Sequence, residues 1–222
     1  YDLSLQARSG IMSITGEEGR PPVKVGVAWI DVITGLHATS AILAALLHRE
    51  RTGKSQRIDI SLWDCAISAL VNQAQNKLAS GKEPRPMGSA HPNLVPYRAF
   101  EASDGWFVLA VGSDAQWQQM VEILEIDCQE SWSTNSGRVK DRIEVEKTLF
   151  KIFKHDTRSH WENVLGGIPC APVNTIGQAL CDIQSVARGA VWSVEGVQTL
   201  ANPLRGMSLT PAKPGQPAET SF

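Results

Sequence analysis

Hydrophobic residues in the first third of the chain change their spacing twice. Val27 to Ile30 form a short apolar run typical of an extended strand. From Val32 or Thr34 to Arg51 the apolar residues recur at helical spacing with almost no polar face, which predicts a long helix buried on most sides. Gly53 follows where a left-handed residue often ends a helix. The alternation in residues 56–62 predicts a half-buried strand, and residues 63–78 predict a second helix.

A different pattern starts after residues 79–93, a segment rich in glycine, proline and serine that predicts a linker or an active-site loop. Residues 95–112 contain two strand-like runs joined at Ser103, Asp104 and Gly105, which predicts a β-hairpin. Further predicted elements are a helix with Ser113 or Asp114 as N-cap, helices at 138–154 and 158–165, a strand and turn entering a helix at 167–182, and a strand at 191–197. This order predicts an α/β part that gives way to a smaller α+β part.

The composition is that of an ordinary soluble globular protein. Of 222 residues, 42% are hydrophobic and 20% are charged, and the formal net charge is -2. Such a balance offers no basic surface for nucleic acid or for an anionic membrane. No uninterrupted apolar run reaches the ~18 residues that span a bilayer, so we predict no membrane segment. The four cysteines form no Cys-x-x-Cys pair, which favours buried thiols in a reducing compartment over disulfides or a metal site.

A single acid, Asp31, interrupts the apolar run that leads into the long helix. An aspartate in this place is most often a helix N-cap. The same place suits a nucleophile, because the positive end of the helix macrodipole stabilises an ionised carboxylate even in an apolar setting. A carboxylate of that kind can attack an activated acyl group. Spacing alone does not decide between the two interpretations.

The other candidates for chemistry are weaker. His91 lies in the loop sequence GSAHPN, whose glycine, serine and free backbone amides suit a binding site. His91 is therefore either a site residue or an ordinary loop residue. His37 and His48 lie on the long helix, and His155 and His160 lie in a polar turn, so none of these four indicates a catalytic site. The TGEEG and TGKSQ stretches lack the order of residues in a phosphate-binding P-loop, which excludes nucleotide binding of that type.

Five stretches, taken in order, resemble the class III CoA-transferase family, the formyl-CoA and carnitine CoA-transferase type, over nearly the whole chain. The first runs from YDLSLQARSG through GVAWIDVITGLHA to RIDISLWD. The others are AHPNLVPYRAFEASDGWFVLAVGSDAQWQQM, TNSGRVKDRIEVEKTL, GIPCAPVNTIGQAL and ANPLRGMSLTPA. The family's nucleophilic aspartate falls on Asp31.

The resemblance implies a chemistry and a set of site residues. Asp31 attacks an acyl-CoA thioester to give a mixed anhydride, which becomes an aspartyl-CoA thioester, and a carboxylic acid acceptor then reverses the sequence. CoA takes part as substrate, and no metal or redox cofactor is implied. Tyr1 is a candidate CoA contact, and the region from Met87 to Asn93, with Gly88 and His91, matches a loop that covers the site in some members.

The resemblance also implies a fold and an assembly. Family members have a Rossmann-like large domain and a small α+β domain, and their subunits interlock as a homodimer. We therefore expect residues 1–78 to be the C-terminal part of the CoA-binding large domain, 79–93 the linker or active-site loop, 94–190 the small domain, and 191–222 a truncated return segment. We expect an intracellular location, in the cytoplasm or the mitochondrial matrix.

The chain departs from the family pattern in three ways. Ser55 replaces the second glycine of the family's TGxGQ, the N-terminal CoA-binding half is not matched, and the C-terminal segment is short. Together with the opening residue Tyr1, these departures predict that the chain is part of a longer polypeptide, or a truncated gene model, and is not self-sufficient.

Two other functions remain open. An α-methylacyl-CoA racemase shares the fold and an acid at position 31, but such racemases have a histidine where this chain has Tyr1. Tyr1 favours transfer, because a racemase needs two poised bases and a phenol is a poor one near neutral pH. The remaining alternative is an inactive fragment or interaction module, which the short length favours and the intact Asp31 motif opposes.

Overall fold

The computed structural model describes residues 1–204, which form a mixed set of helices and small antiparallel sheets. The helices are α1 (Asp2–Arg8), α2 (Ile11–Ile14), α3 (Trp29–Thr52), α4 (Leu62–Ser68), α5 (Val71–Ser80), α6 (Asp114–Leu124), α7 (Asn135–Lys140), α8 (Arg142–Phe153), α9 (Arg158–Val164), α10 (Ile176–Cys181) and α11 (Ile183–Ala187). The strands are β1 (Tyr97–Ala102), β2 (Gly105–Ala110), β3 (Cys170–Pro172), β4 (Val191–Val194) and β5 (Val197–Leu200). A 3-10 turn, Glu130–Ser133, precedes α7. The predicted α/β class is confirmed.

The long helix α3 begins earlier than the hydrophobic pattern predicts. It starts at Trp29, so residues 27–30 do not form the predicted strand. Its end is as predicted, because Gly53 adopts φ +69° and its N–H donates to the Arg49 carbonyl at 2.8 Å. Within residues 1–204, Ile30 is the one buried residue of α3. The prediction of a helix buried on most sides is therefore wrong for the described chain, in which α1 and α4 contact α3 and leave most of its surface exposed.

Helix α3 is long and apolar enough, by these two criteria alone, to cross a membrane. The sequence prediction relied on uninterrupted apolar runs, and it missed this helix because single polar residues divide its apolar stretches. Core helices of soluble proteins meet the same two criteria. Length and composition therefore do not assign α3 to a membrane.

The segment after α3 departs from prediction twice. Residues 56–60 are extended but form no strand, because a strand needs a hydrogen-bonded neighbour and no described residue pairs with them. The single helix predicted over 63–78 is divided into α4 and α5. The break comes before Val71, whose φ of +37° is rare for a β-branched side chain.

Strands β1, β2 and β3 form one antiparallel sheet in that order. The predicted β-hairpin is confirmed, with Phe100 opposite Phe107 and the turn at Ser103 and Asp104. The predicted cap of α6 is confirmed as well, because Ser113 Oγ accepts the N–H of Gln116 at 3.3 Å. The helix predicted over 138–154 is two helices, α7 and α8, which meet at Asp141.

One face of this sheet packs against the helices that follow it. Alternate residues of β2 point to opposite sides, so Phe107 and Leu109 are buried whereas Trp106 and Val108 are exposed. Aromatic rings fill the centre, and Phe153 makes edge-to-face contacts with Phe107 at 5.1 Å between ring centroids. The core comprises Val95, Phe100, Ala102, Phe107, Leu109, Val111, Trp117, Met120, Ile126, Trp132, Val145, Leu149, Phe153, Trp161, Leu165 and Ile168.

The last described elements form a second, two-stranded sheet. The strand predicted at 191–197 is β4, which turns back and pairs antiparallel with β5. The return segment predicted for 191–222 is therefore a hairpin at its start. Its remainder, residues 205–222, lies outside the described residues.

The four cysteines differ in exposure. Cys65 is buried, and Cys128 and Cys170 are partly buried. Burial raises the pKa of the Cys128 and Cys170 thiols, which keeps them protonated and unreactive near neutral pH. Cys181 is exposed, so the prediction of four buried thiols is wrong at this position.

Candidate active site

Asp31 is the third residue of α3 and its carboxylate is exposed. It is therefore not the N-cap, which is Ala28, and the N-cap interpretation of Asp31 is wrong. The reason is that the helix starts at Trp29, two residues before the acid. Its position in the first turn still places the carboxylate at the positive end of a 24-residue helix, where a negative charge is stabilised.

The cap of α3 comes from a distant residue that sequence reasoning missed. Ala28 has no side-chain oxygen, and the N–H of Ile30 donates instead to Asp2 Oδ1 at 2.8 Å. Gln6 Nε2 donates to the other oxygen of Asp2 at 2.6 Å. The one available signal was the Asp2–Gln6 spacing, since residues four apart face each other on a helix.

Tyr1 is the N-cap residue of α1 and its side chain is fully exposed. It directly precedes Asp2, which bonds to the first turn of α3. The structure therefore brings Tyr1 and Asp31, two of the predicted site residues, to the same end of α3.

The loop predicted to carry Gly88 and His91 is attached to the N-terminal segment. The N–H of Gly88 donates to the Gly16 carbonyl at 2.7 Å, and Arg85 pairs with Glu18 at 2.6 Å. Gly88 adopts φ +59°, which favours glycine there. Within residues 1–204, no hydrogen bond or ion pair joins this loop to Tyr1 or Asp31.

His91 has a defined hydrogen-bonding state. Its Nδ1 accepts the N–H of Asn93 at 3.1 Å, and its ring lies 5.1 Å from the ring of Tyr97. Burial, and next the positive charge of Arg142, lower the pKa of His91. A neutral ring with Nδ1 as acceptor carries its proton on Nε2, so His91 can offer one N–H donor.

A buried ion network holds the His91 loop on α8. The guanidinium of Arg142 donates to the carbonyls of His91 and Pro92 at 2.9 and 3.1 Å. Glu146 is almost fully buried and accepts from Arg142 at 3.1 Å and from Arg98 of β1. The loop is thus bonded to the N-terminal segment on one side and to α8 on the other.

Among the described residues, no group of three or more His, Cys, Asp and Glu side chains has an arrangement that could bind a metal ion.

The sequence pattern of CoA-transferase family III matches residues 1–219. The chain belongs to this family. Among curated relatives, it is 40% identical over 196 residues to the succinate–glutarate CoA-transferase of Agrobacterium fabrum, an alignment that covers 85% of this chain and 48% of that protein. It is 36% identical over 200 residues to the succinyl-CoA:glutarate CoA-transferase of Homo sapiens, covering 88% of this chain and 46% of that one.

A solved structure of a related protein has a similar fold. A crystal structure of a CAIB/BAIF family protein from Brucella suis is 42% identical, with a TM-score of 0.77. The alignment covers 92% of this chain and 56% of that one. The chain therefore spans about half the length of the relatives it matches, and the predicted family is confirmed. The roles of Asp31, Tyr1, Gly88 and His91, and the predicted domain bounds, stay predictions.

Proposed function

We propose that the protein carrying this chain is a CoA-transferase that moves CoA from an acyl-CoA to a carboxylic acid, with Asp31 as the covalent nucleophile. The observation that carries this proposal is the family match over residues 1–219. The choice of Asp31 rests on the resemblance of the sequence GVAWIDVITGLHA to the family's motif. The position of Asp31 in the first turn of α3 supports it, because the positive end of the helix favours the ionised carboxylate that attacks a thioester.

The first half of the reaction loads CoA onto the protein. The ionised carboxylate of Asp31 attacks the thioester carbonyl, a C–O bond forms, and the C–S bond breaks to release CoA thiolate. The product is a mixed anhydride between Asp31 and the donor acyl group. The thiolate then attacks the Asp31 carbonyl, which gives an aspartyl-CoA thioester and releases the donor acid as its carboxylate.

The second half repeats these steps in reverse with a new acid. The acceptor carboxylate attacks the aspartyl-CoA thioester, forms a second anhydride and releases CoA thiolate. The thiolate attacks the acceptor carbonyl, which yields the new acyl-CoA and frees the Asp31 carboxylate. Each step exchanges one activated acyl derivative for another, so the electron count balances with no oxidant or reductant.

We infer the substrate class from the named relatives. Succinate and glutarate are small dicarboxylic acids, and both relatives compared above are named for CoA transfer involving them. The acceptor proposed for this protein is a dicarboxylate of this size. Acyl-CoA and the acid are its expected partners, with a homodimer as the proposed assembly.

The proposal concerns the longer polypeptide, because the chain spans about half of its relatives. Tyr1 is proposed as a CoA contact, since it lies at the same end of α3 as Asp31. The loop with Gly88 and His91 is proposed to cover the site. The chain by itself is proposed to bind CoA weakly and to transfer it slowly or not at all.

Asp31→Asn in the full-length protein tests the nucleophile. The amide keeps the size of the side chain but removes the anionic oxygen, so kcat for transfer from succinyl-CoA to glutarate should fall by ~10³ or more while the fold persists. Asp64→Asn is the matched control, because Asp64 is likewise the exposed third residue of a helix, α4. It should keep wild-type kcat.

Two results would contradict the proposal. Wild-type turnover in Asp31→Asn would exclude Asp31 as nucleophile. Deuterium entering the α-carbon of a 2-methylacyl-CoA at the rate of turnover, with no CoA moving to an added acid, would instead support the racemase alternative.

A further inference from the structure

The first turn of α3 lacks a local cap. Helices leave their first N–H groups without partners in the helix, and a side-chain oxygen of the N-cap residue often satisfies one of them. Ala28 occupies the N-cap position and offers no such oxygen. The Ile30 N–H is satisfied by Asp2 Oδ1 at 2.8 Å, a residue 28 positions earlier in the chain.

Gln6 fixes the carboxylate that caps α3. Its Nε2 donates to Asp2 Oδ2 at 2.6 Å, and its Oε1 accepts the N–H of Val25 at 2.9 Å. Gln6 is fully buried and Asp2 is partly buried, so these bonds are partly shielded from water. We call the two residues the Asp2–Gln6 clamp. The clamp joins α1 to the segment before α3 and to the first turn of α3.

Asp31 directly follows the residue that the clamp holds. An acid at the third position of a helix often folds back to bond with the N-cap backbone. Here no hydrogen bond within residues 1–204 engages the Asp31 carboxylate. In the described part of the chain the carboxylate therefore has no hydrogen-bond partner, while the turn that carries it is capped by a different acid, Asp2.

We propose that Asp2 is a positioning residue for the transfer reaction: it caps α3 in place of Asp31, and Gln6 orients it, so that the Asp31 carboxylate stays free and in a fixed place for attack on the thioester. This inference rests on the proposed function, because it assigns a role relative to the nucleophile. Misplacing a reacting group by about 1 Å can cost about 10²-fold in rate. The effect should therefore appear in kcat.

Exchanging the acid group of Asp2 and the amide group of Gln6 tests the clamp in the full-length protein. In Asp2→Asn, the new amide oxygen can still accept the Ile30 N–H, but the new NH2 group meets the NH2 group of Gln6. We expect kcat to fall about tenfold, with KM for acyl-CoA changed less than about twofold. Adding Gln6→Glu supplies a carboxylate that accepts both from the new amide and from the Val25 N–H. Of the bonds that Gln6 makes, only the long one from Nε2 to the Val27 carbonyl, at 3.4 Å, is lost. The double variant should recover kcat to within about threefold of wild type.

Ser61→Ala is the matched control. Ser61 Oγ caps α4 by accepting the N–H groups of Trp63 and Asp64, and α4 carries no proposed nucleophile. Loss of this cap should lower Tm by about 2–4 °C and leave kcat within about twofold. Asp2→Ala should lower Tm by a similar amount but lower kcat about 10²-fold.

Specific results would overturn the clamp. Wild-type kcat in Asp2→Asn or Asp2→Ala would do so. A double variant that recovers Tm but not kcat would also do so, because it would show that the reaction needs the carboxylate of Asp2 itself. If Asp2→Ala does not fold, the asparagine and double variants decide. Asp31→Asn, assayed in parallel, separates the proposed nucleophile from the proposed positioning residue. If Asp31→Asn keeps turnover, the proposed function fails. If Asp31→Asn is inactive and Asp2→Asn is fully active, only the proposed role of Asp2 is contradicted.

Discussion

At the residue scale, two exposed acids occupy the same position of two helices and have different surroundings. Asp31 and Asp64 are each the third residue, of α3 and α4 respectively. Ser61 caps α4 from within its own sequence, whereas α3 is capped by Asp2. Local sequence predicts the first kind of cap. It cannot predict the second, because the oxygen comes from a residue 28 positions away and reaches the helix only after α1 has packed.

His91 gives a pH-dependent prediction at this scale. Burial and the charge of Arg142 lower its pKa below 6.5 in the folded state. Between that lowered value and 6.5, His91 binds more protons in the unfolded chain than in the folded chain. The free energy of unfolding therefore falls as pH is lowered through this window, and His91 does not change it at higher pH. Urea unfolding at about pH 7.5 and about pH 5 should show this loss. His91→Gln should reduce it, because the variant has no group that titrates there.

His155→Gln is the control for this measurement. His155 is exposed and lies two residues after the last residue of α8, whereas Arg142 is the first residue of that helix. Its replacement should leave the loss of stability at low pH unchanged. An equal reduction in both variants would show that His91 is not the group responsible.

At the scale of elements, α8 holds the proposed site loop through one buried carboxylate. Glu146 joins Arg142, which binds the loop carbonyls, to Arg98 of the neighbouring strand. The three charged side chains lie on α8 and β1, which are separated by more than thirty residues. Sequence periodicity marks α8 as amphipathic but does not show which of its charges turn inward.

Removing that carboxylate should be costly. Glu146→Ala removes the carboxylate that two largely buried guanidinium groups share, and we expect the free energy of unfolding to fall by about 3 kcal/mol. Glu144→Ala, on the same helix, breaks only an exposed pair with Lys147 and should cost about 0.5 kcal/mol or less. Urea unfolding of both variants checks the difference. Similar small losses in both would show that the Glu146 network does not stabilise the fold.

Elements formed by local contacts were predictable, and those that need distant partners were not. The hairpin of β1 and β2 follows from its turn residues and the end of α3 from Gly53. Residues 56–60 have the alternation of a strand but no partner strand among the described residues. The split between α4 and α5 depends on the unusual backbone at Val71, which no hydrophobic pattern reveals.

At the scale of the whole molecule, the main feature is the apolar surface of α3. Leu36 and Leu43 are 64% and 61% exposed, and Ile42, Leu46 and Leu47 are also exposed. Surfaces of this kind on soluble proteins usually mark a place where another part of the molecule or a partner packs. The short match to the relatives fits this view, because about half of their length has no counterpart in this chain.

We expect the chain expressed by itself to associate or aggregate through α3. Leu36→Glu with Leu43→Glu should increase the monomer fraction in size-exclusion chromatography with light scattering, since charges oppose burial of this surface. Ile143→Glu, at an exposed apolar residue of α8, is the control and should not change it. A monomeric wild-type chain would contradict the prediction. Flotation of the wild-type chain with lipid vesicles would show that α3 binds a membrane instead.

The central claim is that Asp31 becomes covalently acylated, and trapping with hydroxylamine tests it most directly. Hydroxylamine converts an aspartyl anhydride or thioester into an aspartyl hydroxamate, whereas a free carboxylate does not react. The full-length protein, incubated with succinyl-CoA and hydroxylamine and then digested, should yield a hydroxamate at Asp31 by tandem mass spectrometry. The label should depend on acyl-CoA and be absent at Asp64. Continued turnover without any label at Asp31, or a label at a different residue, would contradict the account.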